Sequence, residues 1–576
     1  MLSIKSQLSL QCAEIIQRVL GMDADAGIEV AGQAQFGDYQ ANGLLKLAKI
    51  LKQNPKALAD QVATAWQQSN PLLRLEPSGP GFINIYLSND FVQTALSQLW
   101  NDPRLGIAKT TDPKNIVVDY GGANVAKEMH VGHLRSAVIG DAVVRILDFL
   151  GEHPIRQNHI GDWGTQFGML IEHILEHHIE LSTQVSDLDQ LYKTAKQRFD
   201  NDNTFAERSR LRVVTLQQGD QTTLMIWREL IKVSEQHFEE VYRRLGVLLT
   251  HEDICGESFF NDQLPLLIEA LAEKELLQDS DGAKVMLIDG YVDRDQKPLP
   301  LMLRKSDGGY LYATTDLAAM RYRIEQLRAQ EIIYVTDARQ KQHFAMLFAA
   351  LEKTGWLPTD VKLQHLPFGA VLGADRKPFK TRSGESIKLV DLIQESMTRA
   401  ADKIKPKNPN LDDAVLQHLA REVGVGALKY ADLASDKVKD YIFDWDLMLA
   451  FEGNTAPYLQ NAYVRIRAIF RKGDIQEEQL SLEALHLHDD IEKQLAVKVL
   501  SINEIVSSVR QDWAIQRLCH YLFELASLFH RFYEQCPVLT AATPESKQSR
   551  LLLCALTARV LKLGLSLLGI GVFEQM

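Results

Sequence analysis

The chain has 576 residues, 46% of them hydrophobic and 24% charged, an ordinary globular composition at a length that divides into several folding units. Its formal charge of −12 excludes a protein that holds nucleic acid through bulk basicity. No run approaches the roughly 20 consecutive apolar residues that cross a bilayer, so a soluble protein with no membrane partner is expected.

The start, MLSIKSQLSLQCAEIIQ, soon meets Glu14 and lacks a small-residue cleavage site, so no leader is expected. The five cysteines, Cys12, Cys255, Cys519, Cys536 and Cys554, are scattered with no CxxC pair. They suggest neither a disulfide framework nor a structural zinc site, and a reducing cytoplasm fits best. Charge is uneven: residues 251–300 hold 12 acidic and 4 basic groups, whereas residues 501–576 hold 6 and 7. The acidity concentrates in a middle segment and leaves the C-terminal part nearly neutral, which permits RNA binding there.

In the first hundred residues Leu10, Ala13, Ile16 and Leu20 recur at helical spacing. After the turn Gly79-Pro80-Gly81 the run FINIYL alternates as a strand, giving a small N-terminal α/β domain, residues 1–108. A joint with Pro103 and Pro113 follows. The β-branched run IVVDY, 116–120, then leads through GGAN into a helix whose Leu134, Val138, Ala142, Ile146 and Leu150 share one face, closed by Gly151. A short run at 155–160 and the punctuation GDWGTQ come next. Strand, glycine-containing loop, helix, strand is the opening of a doubly wound nucleotide-binding sheet.

The pattern is interrupted by a mostly helical, acidic insertion at about 176–296, then resumes with a strand at 332–335, a helix at 343–353 and a strand at 361–366. After about residue 451 amphipathic helices take over. Residues 458–471, for example, turn Leu459, Ala462, Tyr463, Ile466 and Phe470 inward and Arg465 and Arg471 outward. The expected architecture is α/β: a Rossmann-like doubly wound catalytic domain, 112–450, with an inserted helical segment, the N-terminal α/β domain, and a C-terminal all-α bundle, 451–576.

The sharpest chemical signal is His130-Val131-Gly132-His133, just after a strand and at the start of a helix. Two imidazoles three residues apart share a helical face, Gly132 admits a ligand closely, and first-turn amides attract anions. A surface pair or part of a metal site is the bland reading of such a string. No third ligand stands at metal spacing, so no protein metal site is expected, while Lys127 adds a cation to the same helix entrance. A nucleoside triphosphate fits that corner.

The stretch DYGGANVAKEMHVGHLRSAVIGD, followed by NHIGDWGTQFGML, resembles the HIGH-signature region of arginyl-tRNA synthetases of class I. FGDYQANG, 36–43, with GPGFINI resembles their N-terminal domain, thought to read the D-loop corner of the tRNA, and the helical tail looks like their anticodon-binding domain. The resemblance implies an arginine-tRNA ligase, a cytoplasmic monomer whose partners are L-arginine, ATP with Mg2+, and tRNA(Arg). His130 and His133 would bind ATP and stabilise the transition state as the arginine carboxylate attacks the α-phosphorus, and the arginyl group would pass to the terminal ribose.

Class I enzymes supply a further lysine from a KMSKS loop, and here the corresponding stretch is DRKPFKTRSGESIKL, a departure. Many arginyl enzymes share it, and a lysine just before HIGH is thought to compensate; Lys127 occupies that place, with Lys380 and Arg382 as further ATP-binding candidates. A guanidinium is a planar fork of donors that carboxylates match with paired hydrogen bonds, so Asp119 and Asp316 are the acidic candidates. By resemblance Gly122, Ala123, Asn124 and His133 would hold the α-amino or carboxylate end, and Tyr312, Asp316 and Gln340 would bound the side-chain pocket. Standing before an apolar helical run, Asp316 could also be read as a helix cap. In this chain Gly121-Gly122-Ala123 replaces a more usual serine-containing loop, which leaves backbone contacts there but no hydroxyls.

Tyr458, Tyr463, Phe470 and Trp513 could stack on bases and Arg465 and Arg471 could meet phosphate, but most of these aromatics read more readily as core, and no anticodon contact is assigned to a named residue. Two other functions share these features: another HxGH nucleotidylyltransferase, which needs neither terminal domain, and a tRNA-binding paralogue without catalysis, against which intact His130, His133, Lys127, Asp316 and Gln340 argue.

Overall fold

The computed structural model describes residues 3–180, 185–293, 295–379 and 387–575. It divides into two compact units: Met1–Lys109 with Ala450–Ser566 and Gly571–Met576, and Thr110–Leu449 with Leu567–Ile570.

In the second unit, β1 (Asn115–Asp119) leads to α1 (Val131–Phe149) and β2 (His153–Gln157). The insertion contains α2 (Gln221–Leu245), and after it come α3 (Tyr312–Glu325), β3 (Glu331–Asp337), α4 (Lys341–Thr354) and β4 (Lys362–Phe368). The four strands pair in parallel in the order β4-β3-β1-β2. Ile116, Val117 and Val118 are buried without a gap, as a parallel strand covered on both faces requires. Helix α1 is buried almost all round and lies close on the sheet because position 140 is glycine; a Cβ there would stand 2.3 Å from Cβ of Tyr120.

The insertion is helical only as far as Glu273, through Val185–Asn201, Asn203–Gln217, α2 and Leu264–Glu273. The expectation of a mostly helical segment to 296 misses a three-stranded antiparallel sheet, Gln278–Ser280, Ala283–Val292 and Pro298–Arg304. Pro298 and Pro300 hid the last strand; it lies at the sheet edge, where a missing N–H costs little.

In the first unit, a four-stranded antiparallel sheet orders Ile28–Val30, Tyr39–Ala41, Phe82–Leu87 and Leu73–Ser78. The C-terminal part is a bundle of Ala456–Gly473, Asp490–Leu500, Ile502–Asp512, Gln516–Gln535 and Pro544–Leu567. Tyr463, Phe470 and Trp513 are buried. Tyr463 and Phe470 lie on the packed stripe of Ala456–Gly473, and Trp513 is the buried, left-handed C-cap of Ile502–Asp512, so all three belong to the core.

Candidate active site

In a doubly wound sheet the crevice opens where neighbouring strands send their chains to opposite faces, here beyond the C-terminal ends of β1 and β3. A cavity of about 570 Å³ lies there, with Asp119, Asn124, His130, His133, Asp316 and Gln340 in its wall.

The histidines meet it in an unusual way. His130 is the N-cap of α1 in extended conformation, and its Nδ1 accepts from the Gly132 amide at 3.0 Å. His133 Nδ1 accepts in turn from the His130 amide at 3.0 Å. The two rings thus act as a reciprocal cap with centroids 4.0 Å apart, satisfying amides that the first turn otherwise orphans. Since an amide can only donate, both Nδ1 atoms are bare and each neutral ring carries its proton on Nε2. Burial pushes the His133 pKa down to about 3, with the neighbouring His130 adding to the effect. Burial, then the charge of Lys127, lowers that of His130. At neutral pH the pair offers uncharged Nε2–H donors.

The segment that enters this helix is bridged antiparallel to residues 387–389 at His130 and Lys388: Val131 N donates to Ile387 O at 2.9 Å and Leu389 N to Met129 O at 2.8 Å, with Lys388 paired to Glu128 at 2.6 Å. His237 on α2 accepts from the Met129 amide at 3.2 Å.

The glycine loop after β1 is folded by left-handed residues, Gly121 at φ +91° and Gly122 at φ +57°. Gly121 N donates to Ser136 Oγ and Gly122 N to Asn158 Oδ1, both at 2.9 Å. A Cβ on Gly121 would lie 2.6 Å from the Tyr242 hydroxyl, so no larger residue fits at that position without displacing it.

The opposite wall is acidic but internally anchored. Arg323 Nη2 donates to Asp119 Oδ2 at 2.8 Å. His343 Nε2 donates to Asp316 Oδ2 at 2.7 Å, and the other Asp316 oxygen stands 3.8 Å from His159 Nε2. Asp337 is held by the Arg339 side chain at 2.7 and 2.9 Å. Asp316 is not the helix cap: α3 starts at Tyr312 with Leu311 as its N-cap, which leaves Asp316 in its second turn, facing the cavity.

Of the residues expected from the sequence, Asp119, Gly122, Asn124, His130, His133, Asp316 and Gln340 come together in this wall. Ala123 is buried and contributes its carbonyl, which accepts from Gly161 N at 3.3 Å. Lys127 lies outside the wall, its Nζ 4.2 Å from the centre of the Tyr192 ring. Tyr312 is 63% exposed, packs edge-on against His343 at 4.8 Å and lines a neighbouring cavity of about 200 Å³. Lys380 and Arg382 lie outside the described residues. Sequence reasoning assigned no role to Ser136, Asn158 and His159, although all three lie in the quoted signature stretches, nor to Arg323 and His343, which stand in no chemical motif. The histidine of NHIGDWG, directly after a strand end, was the one available signal.

Residues 94–445 match the family model for the class I (R) tRNA synthetase catalytic domain, residues 459–576 the DALR anticodon binding domain, and residues 3–87 the arginyl tRNA synthetase N terminal domain. An arginine–tRNA ligase of Hahella chejuensis is 48% identical over 554 residues, 95% of each chain. One of Chromobacterium violaceum is 46% identical over 96% of each. Among solved structures, arginyl-tRNA synthetase from Plasmodium falciparum is similar at 32% identity and a TM-score of 0.86 over all of both chains. The Thermus thermophilus arginyl-tRNA synthetase shares the fold at 23% identity and a TM-score of 0.82, again over the whole of both.

Proposed function

The chain belongs to the class I arginyl-tRNA synthetase family, and from that premise we propose that its cavity joins arginine to ATP and passes the arginyl group to tRNA. The activity is that of an arginine–tRNA ligase. The observation that carries it is the pairing of a neutral histidine cap at one end of the cavity with anchored carboxylates at the other.

ATP lies with its phosphates toward the first turn of α1. There the Nε2–H groups of His130 and His133 donate to phosphate oxygens, most strongly as charge builds on them when the arginine carboxylate attacks the α-phosphorus and pyrophosphate leaves. Because the rings stay neutral, they stabilise that charge without trading a proton. Lys127, close enough to depress His130, supplies the positive charge near the leaving group that the departed KMSKS sequence lacks, with Lys380 and Arg382 as further candidates. Asp316 and Asp119 receive the guanidinium, Gln340 and Tyr312 bound it, and Asn124 with the Gly122–Ala123 backbone meets the α-amino end. In the second step the terminal ribose hydroxyl attacks the acyl carbon and AMP departs.

Magnesium, expected with ATP, would enter with the triphosphate as part of the substrate and would offset charge on the phosphates as pyrophosphate leaves.

The work divides among three segments: residues 1–108 for the tRNA corner, 112–450 for chemistry, 451–576 for the anticodon. No helix among the described residues is long and apolar enough to cross a membrane. All five cysteines are free, buried thiols, which supports a reducing cytoplasm; a monomer is what the family resemblance implies. The chain supplied with ATP, labelled arginine and total tRNA should form acid-precipitable product. Absence of product across a range of tRNA preparations refutes the assignment.

A further inference from the structure

His159 follows β2 in the loop whose Asn158 amide donates to Asp253 O at 2.8 Å, while Cys255 N donates back to Asn158 O at 3.0 Å. This pairing fixes the backbone, and the ring is fixed as well: His159 Nδ1 lies 2.9 Å from the Cys255 carbonyl oxygen. A carbonyl only accepts, so Nδ1 carries a proton, and in the uncharged tautomer that this contact selects the Nε2 lone pair is the one turned toward the cavity. That nitrogen stands 3.8 Å from Asp316 Oδ1. On the far side of the same carboxylate, Oδ2 is already engaged by His343, which leaves Oδ1 as the oxygen free to meet a ligand.

With the imidazole uncharged, two acceptors, a lone-pair nitrogen and a carboxylate oxygen, face one space at a separation too long for a bond of their own. Such a pair calls for a shared donor with more than one N–H. A guanidinium amino group has that geometry, one hydrogen for each acceptor, and a single carboxylate without the imidazole would leave one hydrogen unmatched. An ammonium could reach the pair but would leave a third hydrogen without a partner in a half-buried wall.

We propose that His159 is a specificity-determining residue for the amino-acid substrate, accepting through Nε2 a hydrogen bond from the terminal amino group whose other hydrogen goes to Asp316. The inference rests on the reading that this cavity takes arginine.

Two substitutions separate contact from scaffolding. His159→Asn keeps a donor at the Nδ1 position for the Cys255 carbonyl but removes the atom at Nε2. His159→Gln places an amide oxygen where Nε2 was and gives up the short link to Cys255. The measurement is steady-state aminoacylation with KM for arginine and for ATP determined separately, alongside Asp316→Asn. The contact predicts that His159→Asn raises the arginine KM about 10- to 100-fold, as loss of a hydrogen bond to a charged group does, with the ATP KM within about twofold. His159→Gln should recover most of the loss, within about fivefold of the parent. The reverse order, asparagine tolerated and glutamine impaired, makes His159 a scaffold residue and overturns the proposal. So does an equal rise in both KM values. If Asp316→Asn raises the arginine KM and His159→Asn does not, the histidine contact alone is wrong. If neither variant changes it, the placement of arginine in this cavity is wrong too.

Discussion

Arg323 is buried beside the cavity with its Nη2 2.8 Å from Asp119 Oδ2 and its Nε 2.5 Å from Gln157 Oε1. A guanidinium of the protein thus holds one of the two carboxylates assigned to a guanidinium of the substrate. The side chain is 1% exposed, so the pair works in low dielectric, where orientation is strongly enforced and an orphaned partner is expensive. Arg323→Met should cost about 3 to 5 kcal/mol of unfolding free energy by stranding the carboxylate, read from urea denaturation. Arg323→Lys should fall between, because an ammonium keeps the charge but not the planar fork whose Nε and Nη2 meet Gln157 and Asp119.

The histidine cap makes a kinetic prediction. Replacing His133 by alanine removes a donor that matters most in the transition state, so kcat should drop by about 10²- to 10³-fold. Loss of the cap itself should cost only about 1 kcal/mol of stability. Filter binding should show tRNA affinity unchanged. A parallel loss of tRNA binding would mean that the helix start, and not the chemistry, had been damaged.

The glycine loop predicts an asymmetry between neighbours. Gly121→Ala drives a Cβ to 2.6 Å from the Tyr242 hydroxyl and 2.9 Å from Asn158 Oδ1 at φ +91°. Gly122→Ala, at φ +57°, meets only the His159 carbonyl at 3.7 Å. The first should lose about 2 to 4 kcal/mol and raise the arginine KM, since Asn158 holds the Gly122 amide. The second should lose about 1 kcal/mol. Thermal melts of the two single variants check the order.

Acid should destabilise the fold through its buried histidines. Burial holds His133 near pKa 3 and His237 near 4, both below the ordinary 6.5. Between those values the unfolded chain binds protons that the folded one refuses, so their contribution is intact above about pH 6.5 and drains away as pH falls toward 4 and then 3. Glu257 has the opposite sign: burial lifts its pKa from 4.5 to about 7, so stability falls as pH rises across that interval. Urea midpoints from pH 5 to 8 should therefore rise less steeply on the acid side in His237→Gln, and Glu257→Gln should be more stable than the parent at pH 8.

Much of the catalytic unit was legible because its signals are local. The β-branched run at 116–118, the glycines at 121 and 122 and the histidines at 130 and 133 are contiguous, and their spacing alone implies strand, loop and helix start. Asp316 needed the family resemblance, since its surroundings in sequence are those of a capped helix; only the packing of α4 brings His343 to it. Arg323 reads as an ordinary charge on α3 until the fold turns it beneath the sheet toward Asp119, 204 residues away. The strand at 298–304 was hidden by prolines that only an edge position excuses. The imidazole capping arrangement was not foreseen either, because histidine is a rare cap and its role depends on which ring nitrogen is bare.

The most direct test is a crystal structure of the chain with a non-hydrolysable arginyl-adenylate analogue. The account predicts phosphate oxygens within hydrogen-bond distance of Nε2 of His130 and His133, and the guanidinium between Asp316 and Asp119. An analogue bound away from the helix start, or with its guanidinium pointing from both carboxylates, would contradict it.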